Sequence, residues 1–300
     1  MDRIQTLEVF VAVADMESFA GAARTLGLSP PSVTRGINEL EERLGARLFT
    51  RTTRIVRLTD AGRVYLDEVR HILDDLKAAD DAASGAAVRP TGLLRVTAPV
   101  EFGRIYIAPI MTEFLDLYPD VTANMLLVDR TVNLADEGID VGVRIGPLPT
   151  SGLIAIRVGE ISRVICGAPG YFEKYGRPEK PEHLLDHNIA AIAGVTSNND
   201  WRFGSAQDQV VKVKPRLSVT SVAAGRSIAR SGWGLTRVLS YQIGPDLKTG
   251  DLETVLQDYE PDPWPIHLVH LEGRRASAKH RAFIDLARDR LRGSSILNRR

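Results

Sequence analysis

Ser18-Phe-Ala-Gly-Ala-Ala-Arg-Thr-Leu-Gly-Leu-Ser29, followed by Pro30-Pro-Ser-Val-Thr-Arg-Gly-Ile37, reads as two short helices joined by a glycine turn. Ser18 suits an N-cap, and Ala22, Ala23 and Leu26 repeat at helical spacing. Gly27 supplies the left-handed backbone that ends the first helix. The small Ala22 and Ala23 let the second helix cross closely. Ser29 caps that helix, Pro30 fills its first turn where a missing N–H costs nothing, and Val33, Ile37, Leu40 and Leu44 form its buried stripe. Ser32, Thr34 and Arg35 are left outward. Such a helix-turn-helix suits a DNA major groove, where arginine chelates guanine and hydroxyls meet base edges. One good bidentate pair discriminates by roughly 1–3 kcal/mol. The alternative is an ordinary helical hairpin with a polar face.

From Arg43 to Leu58 the chain carries Arg43, Arg47, Arg51, Arg54 and Arg57 with no acidic residue, although 38 basic and 38 acidic residues balance overall. Basicity is therefore local. Weak alternation and polar turn residues over Arg47–Leu58 predict a two-stranded wing whose arginines hold phosphates or enter the minor groove. A solvated arginine-rich hairpin is the other reading. Thr59 and Asp60 then start a helix, the acid sitting at the positive end of its dipole. Tyr65, Val69, Ile72, Leu76, Ala79 and Ala83 follow at alternating fours and threes, the seam of a coiled coil that pairs two chains, with a helix packed in a monomer as the alternative. Two helix-turn-helix copies are what a palindromic operator needs.

Residues 1 to about 87 resemble the DNA-binding domain of LysR-type transcriptional regulators. The resemblance rests on Met1-Asp-Arg-Ile-Gln-Thr-Leu-Glu-Val-Phe10, Ser18-Phe-Ala-Gly-Ala-Ala23, Leu40-Glu-Glu-Arg-Leu-Gly45, Leu48-Phe-Thr-Arg-Thr-Thr53 and Leu58-Thr-Asp-Ala-Gly62. It implies that Ser18, Ser29, Pro31, Ser32, Thr34 and Arg35 approach bases or phosphates, and that Arg51 and Arg54 reach the backbone and minor groove. It also implies a homotetramer built from two coiled-coil-paired dimers. Pro30 stands where the family often has Gln, which removes a base-reading amide.

Length and composition agree with two or more globular units: 300 residues, 44 % of them hydrophobic. No stretch approaches the roughly 18 uninterrupted apolar residues of a membrane span, and the amino terminus lacks a signal-peptide core, so a cytoplasmic protein is expected. The single cysteine, Cys166, lies in the strand-like run Arg163-Val-Ile-Cys-Gly-Ala168, where a thiol acts as a small hydrophobe.

Ala82-Ala-Ser-Gly-Ala-Ala-Val-Arg-Pro-Thr-Gly92 has the composition of a hinge. Beyond it the pattern predicts a strand at Leu93–Ala98, a helix at Arg104–Tyr118, a strand at Val121–Val128, a helix at Val132–Glu137 and a strand at Ile139–Gly146. It restarts with a strand at Val164–Ala168, a helix at Gly170–Tyr175, a strand at Ile189–Ala193, a strand turning into a helix over Leu217–Arg230, and a strand at Gly232–Leu239. Trp264–His270 crosses back, and a helix at Lys279–Leu291 completes the first subdomain. Such alternation specifies α/β sheets with parallel pairs. Residues 90 to 292 resemble, more loosely, the two-lobed periplasmic-binding-protein-like effector domain of the same regulators. The expected architecture is an α+β multidomain chain. It has a winged helix-turn-helix over 1–59, a dimerisation linker helix over 60–87, a hinge over 88–92 and an α/β effector domain over 93–300. Lobe I takes about 93–161 and 266–300, and lobe II about 162–265.

Ligands of open α/β sheets sit at the carboxyl ends of strands, beside helix N-termini. Thr97, Ala98, Pro99, Val100 and Phe102 follow the first strand, Ile145 and Gly146 end another, and Thr220 and Ser221 open a helix in the second lobe. Ala193, Gly194 and Trp201 offer an opposing wall. A small carboxylate or aromatic metabolite fits these groups, and for each residue closing a tight turn is the competing role. Trp233 and Arg237 stand where related regulators tend to be apolar, and Leu239 where they have proline. The chain has no Walker loop, no Gly-x-Ser-x-Gly elbow, no Gly-x-Gly-x-x-Gly fingerprint and no HExxH pair, so neither catalysis nor a cofactor is expected. His267 and His270 lie three apart on a strand and face opposite sides, a poor chelate. The rival reading is a solute-binding-protein-like small-molecule sensor that does not read promoters.

Overall fold

A computed structural model describes the chain except residues 52–55, 85–88, 194–198, 272–276 and 298–300. Arg54, Gly194, Ser197 and Asn198 of the Ser197–Asp200 turn and the first residue of the 88–92 hinge therefore lie outside the described residues, as do the side chains of Arg51, Ala79 and Ala83. The chain forms two compact units, one spanning Met1–Val88 and another beginning at Arg89.

The first unit opens with helix α1 (Arg3–Met16), capped by Asp2, whose carboxylate accepts from Gln5 N at 2.8 Å. Helices α2 (Phe19–Leu26) and α3 (Pro30–Leu44) follow, each ended by a glycine in the left-handed region, Gly27 at φ 66° and Gly45 at φ 64°. Strands β1 (Phe49–Arg51) and β2 (Val56–Leu58) pair antiparallel as the wing, and helix α4 runs Asp60–Ser84. Val9, Phe10, Val13, Ala22, Ala23, Val33, Ile37, Leu40, Leu48 and Phe49 close one core. Fully burying each large apolar side chain there contributes about 1.5–3 kcal/mol.

Two expectations need correction. Leu44 is 41 % exposed, because it ends its helix beyond the packed core; Glu41 takes the inward place on the last turn of α3. Val69 is fully buried in this unit's own core and the Tyr65 ring lies 5.3 Å from that of Phe10, so the first two seam positions serve the monomer. Ile72 and Leu76, further along α4, stay 54 % and 36 % exposed.

In the second unit strand β3 (Gly92–Ala98) leads into helix α5 (Val100–Phe102), a π-helical turn at Gly103–Ile107 and helix α6 (Ala108–Leu117), so the helix starts four residues earlier than the periodicity predicts. Strands β4 (Val121–Leu127), β5 (Val141–Ile145) and β6 (Ile154–Ile161) follow. Residues 132–137 form turns, not a helix: Asn133 Oδ1 accepts from Ala135 N at 3.1 Å, a local bond that competes with helical pairing. β6 was not foreseen as a separate strand, since its first half is exposed and lacks an alternating pattern.

The chain then builds strand β7 (Arg163–Gly167), helix α7 (Pro169–Tyr175), strand β8 (Ala190–Ile192), the hairpin β9 (Asp200–Phe203) and β10 (Gln209–Lys212), strand β11 (Leu217–Val219) and helix α8 (Val222–Arg230). Strand β12 (Thr236–Leu239), helix α9 (Gly244–Thr249), strand β13 (Glu253–Val255), strand β14 (Trp264–His270) and helix α10 (Ala278–Arg292) complete it. One sheet has the order β4-β3-β5-β14-β6, with β3 parallel to β4 and β5 while β14 runs antiparallel to β5 and β6. β3 is buried from Leu94 to Ala98, with Arg95 and Thr97 as polar members of an otherwise apolar run. The other lobe centres on the antiparallel β12-β7-β13 sheet and the parallel β11-β8 pair. Ile189 bridges Leu235, and Ala190 N donates to Leu235 O at 2.8 Å, which joins the two sets. The cores match this division, one around Phe102, Phe114, Ile266 and Phe283 and another around Ile165, Trp201, Phe203 and Val255.

Candidate functional site

The turn between α2 and α3 is held by its own side chains. Ser18 Oγ accepts from Gly21 N at 3.1 Å, and Ser29 Oγ accepts from Ser32 N at 3.3 Å while sharing a hydrogen bond of 2.8 Å with Ser32 Oγ. Thr34 Oγ1 donates to Pro30 O at 3.1 Å. Ser29, Pro31 and Arg35 are exposed, and Ser18, Ser32 and Thr34 are half-buried. Arg35 projects from the same first turns of α3 as the two hydroxyls. An exposed cation beside small hydroxyls at the start of a helix matches the donor set that reads base edges.

Sequence reasoning did not find the group that fastens the wing to α3. Glu41 is 6 % exposed, and its Oε1 accepts from both Leu48 N at 2.8 Å and Phe49 N at 3.0 Å. Arg47 stands 3.7 Å from the other oxygen with its side chain 79 % exposed. Thr59 adds a second clasp, since its N–H donates to Leu48 O at 2.9 Å and its hydroxyl accepts from Gly62 N at 2.9 Å as the cap of α4. The glutamate in Leu40-Glu-Glu-Arg-Leu-Gly45 falls on the apolar face of the helical wheel, which was the available signal. Arg43, Arg47 and Arg57 are exposed, and Arg51 lies on β1.

The strand-end residues of the second unit divide into two groups. Thr97, Ala98 and Phe102 are buried; the Thr97 hydroxyl donates to Leu126 O at 2.8 Å, and the Phe102 ring lies 4.9 Å from Tyr106 and 5.4 Å from Tyr241. Pro99 and Val100 follow at the surface, where Val100 N donates to Asp129 Oδ1 at 3.0 Å. Ile145 and Gly146 end β5 one strand away, with Gly146 at φ 105° facing the Trp264 ring. In the other lobe Ala193 N donates to Val219 O at 2.7 Å, which sets Ala193 beside exposed Thr220 and Ser221; Ser221 Oγ caps α8 by accepting from Ala224 N at 3.4 Å. Trp201 is 8 % exposed and its ring belongs to that lobe's core.

Two histidines sit in structural roles. His183 Nδ1 accepts from Glu179 N at 3.3 Å, and His187 Nδ1 lies 3.1 Å from the Tyr171 hydroxyl. Among the described residues no group of three His, Cys, Asp or Glu side chains is placed to hold a metal ion, and no helix is long and apolar enough to cross a membrane. Cys166 is fully buried, and desolvation pushes its thiol up to about 12, so the reactive thiolate does not form near neutral pH.

Two family descriptions match the chain. "Bacterial regulatory helix-turn-helix protein, lysR family" covers residues 4–63, and "LysR substrate binding domain" covers residues 87–292. An HTH-type transcriptional regulator of Xanthomonas campestris pv. campestris is 34 % identical over 288 residues, 94 % of this chain and 84 % of that protein. The HTH-type transcriptional regulator CrgA of Neisseria meningitidis serogroup C is 29 % identical over 282 residues, 94 % of each. The solved structure of CrgA, a LysR-type transcriptional regulator from Neisseria meningitidis, matches with a TM-score of 0.63 and 28 % identity over 97 % of this chain and 99 % of that one. The full-length Vibrio cholerae virulence activator AphB shares the fold with a TM-score of 0.60 at 24 % identity over 95 % and 98 %. With its winged helix-turn-helix and its two-lobed second domain, this chain belongs to the LysR family of transcriptional regulators, which pair a DNA-binding domain with an effector-binding one.

Proposed function

We propose that α3 reads the operator through Arg35, with Ser32 and Thr34 beside it, and that Ser18, Ser29 and Pro31 set its approach while Arg51 and Arg54 of the wing engage the backbone. The exposed first turn of α3, with Arg35 beyond the two hydroxyls, carries this reading. Base contacts choose sequence and phosphate contacts set register. Arg35→Ala is expected to weaken operator binding by about 1–3 kcal/mol while leaving non-specific binding nearly intact, as read by fluorescence anisotropy with operator and scrambled duplexes. Equal loss on both duplexes would assign Arg35 to the backbone.

The functional molecule is proposed to be a dimer through α4, assembled further into a homotetramer, at work in the cytoplasm where the chromosome lies, and without catalytic activity. The domain limits are proposed to be 1–59, 60–87, 88–92 and 93–300. Ile72 and Leu76 support pairing, because they continue the seam of Tyr65 and Val69 beyond the monomer's core and are 54 % and 36 % exposed there. Ile72→Glu with Leu76→Glu is expected to shift sedimentation velocity from the assembled species to monomer; an unchanged profile would move the interface elsewhere.

The effector is proposed to bind between the lobes, against Pro99, Val100 and Ile145 on one side and Ala193, Gly194, Thr220 and Ser221 on the other. Thr97, Ala98, Phe102, Gly146 and Trp201, all buried, back these surfaces. A small carboxylate or aromatic metabolite suits the exposed hydroxyls and the helix start at Ser221. Ligand closure of the lobes then biases the dimer's packing on DNA, a coupling of about 1–3 kcal/mol.

A further inference from the structure

We propose that Arg163 and Arg237 form a binding site for a small monoanion, the size of chloride or formate, inside the second lobe, behind the Trp201 and Trp264 rings. The two guanidiniums line one cavity with Ile165, Phe203, Val255 and Glu260, which has about 10 Å³ for the centre of a water-sized particle. That is the room of roughly one buried water, so only a very small ligand fits. Arg163 comes from the start of β7 and Arg237 from β12, neighbouring strands in which Arg237 pairs with Ile165. Their positions put both side chains on one face of the sheet.

What sets the pair apart is the absence of partners. Arg163 Nε and Nη2 and Arg237 Nε are shielded from solvent and make no hydrogen bond among the described residues. Arg237 spends one terminal nitrogen on Arg202 O at 2.9 Å, and Arg163 stacks 4.2 Å from the Trp264 ring centre. The Trp201 and Phe203 rings lie 5.5 and 5.4 Å from the Arg237 guanidinium. Ring faces clamp these planes but leave their N–H edges unfilled. Buried donors left unpaired are costly, and buried charges are ordinarily paired.

Electrostatics point the same way. Burial, and then the charge of Arg163, push Arg237 down to about 10, which leaves it protonated at neutral pH. Glu260 is the acidic group of the lining, and burial pushes its carboxyl upward while a hydrogen bond to Ser162 and the charge of Arg237 act against that. Two cations thus face one carboxylate that is engaged with Ser162. A monoanion between the guanidiniums supplies acceptors for the idle N–H groups and neutralises the excess charge. The site adjoins both connections between the lobes, since only Ser162 separates Arg163 from β6 and Glu260–Pro261 precedes β14.

The test is thermal unfolding of the full chain at constant ionic strength, with sodium gluconate, too large for the cavity, replaced stepwise by sodium chloride or, separately, sodium formate. A saturable rise in Tm is expected with at least one of the two, and which one responds identifies the anion. Arg163→Gln and Arg237→Gln are each expected to abolish the saturable part. An equal rise in both variants, or a rise that never saturates in the wild type, would overturn the proposal. A response that appears only in Glu260→Gln would assign the counter-charge to Glu260 and overturn it as well. Should the arginine variants fail to fold, bromide-soaked crystals of the wild type settle the matter. An anomalous peak beside Arg163 Nε and Arg237 Nε supports the site, and bromide at the surface alone, an adventitious ion only, refutes it.

Discussion

Gly62→Ala is expected to unfold the amino-terminal unit at a much lower temperature and to abolish operator binding with it. An added Cβ would stand 3.0 Å from the Leu48 carbonyl carbon and far inside contact distance of its oxygen. Neither side can yield cheaply. Gly62 lies in the first turn of α4, held by its bond to Thr59 Oγ1, and Leu48 O is fixed by the Thr59 N–H at 2.9 Å. Overpacking a site whose obstacle is backbone sits at or above the upper end of the usual range, about 3 kcal/mol or more. For a unit of this size that is a fall of roughly 12 °C or more. Differential scanning calorimetry of the full chain checks it: the transition of the first unit should drop while that of the second stays. An unmoved first transition would show that α4 can shift away from the wing without loss.

Glu41→Ala is expected to cost about 2–5 kcal/mol. One carboxylate oxygen serves the N–H groups of Leu48 and Phe49, residues 1 % and 3 % exposed, and removing it orphans both donors away from water. Each orphaned group costs about 1–3 kcal/mol. The wing is tied to α3 by this side chain, so its arginines should lose their fixed approach before the helices melt. Chemical denaturation measures the stability, and operator affinity measured where the variant is still folded separates the two effects. Glu41→Gln keeps one acceptor oxygen and should lose less than half as much. A Glu41→Ala variant within about 0.5 kcal/mol of the wild type would mean that water replaces the carboxylate.

Both positions lie inside the stretches that carried the family resemblance, yet their reasons were not visible there. Gly62 looked like a helix residue after Thr59-Asp-Ala, and its cause is a carbonyl fourteen residues back in the chain. Glu41 is one of two adjacent acids in Leu40-Glu-Glu-Arg-Leu-Gly45, and nothing local points to the N–H groups it serves. The cap residues themselves were legible: Ser18, Gly27 and Ser29 each occupy the role that their chemistry dictates, because a cap is settled within about four residues. The 132–137 segment failed for a related reason, since its apolar spacing fits a helix while the Asn133 side chain bonds its own backbone.

Local chemistry in the sequence thus determined the helix-turn-helix, its caps, the arginine-rich wing, the alternation of strands and helices and, with them, the family. Tertiary structure alone decided where along the apolar seam of α4 the monomer's core ends, taking in Tyr65 and Val69 and leaving Ile72 and Leu76 open. It also brought Arg163 and Arg237 together across neighbouring strands with buried, unpaired N–H groups. The physical reason is range. Caps and periodicity act over one or two turns of chain, whereas desolvation and the pairing of charges depend on groups that only the folded sheet makes neighbours.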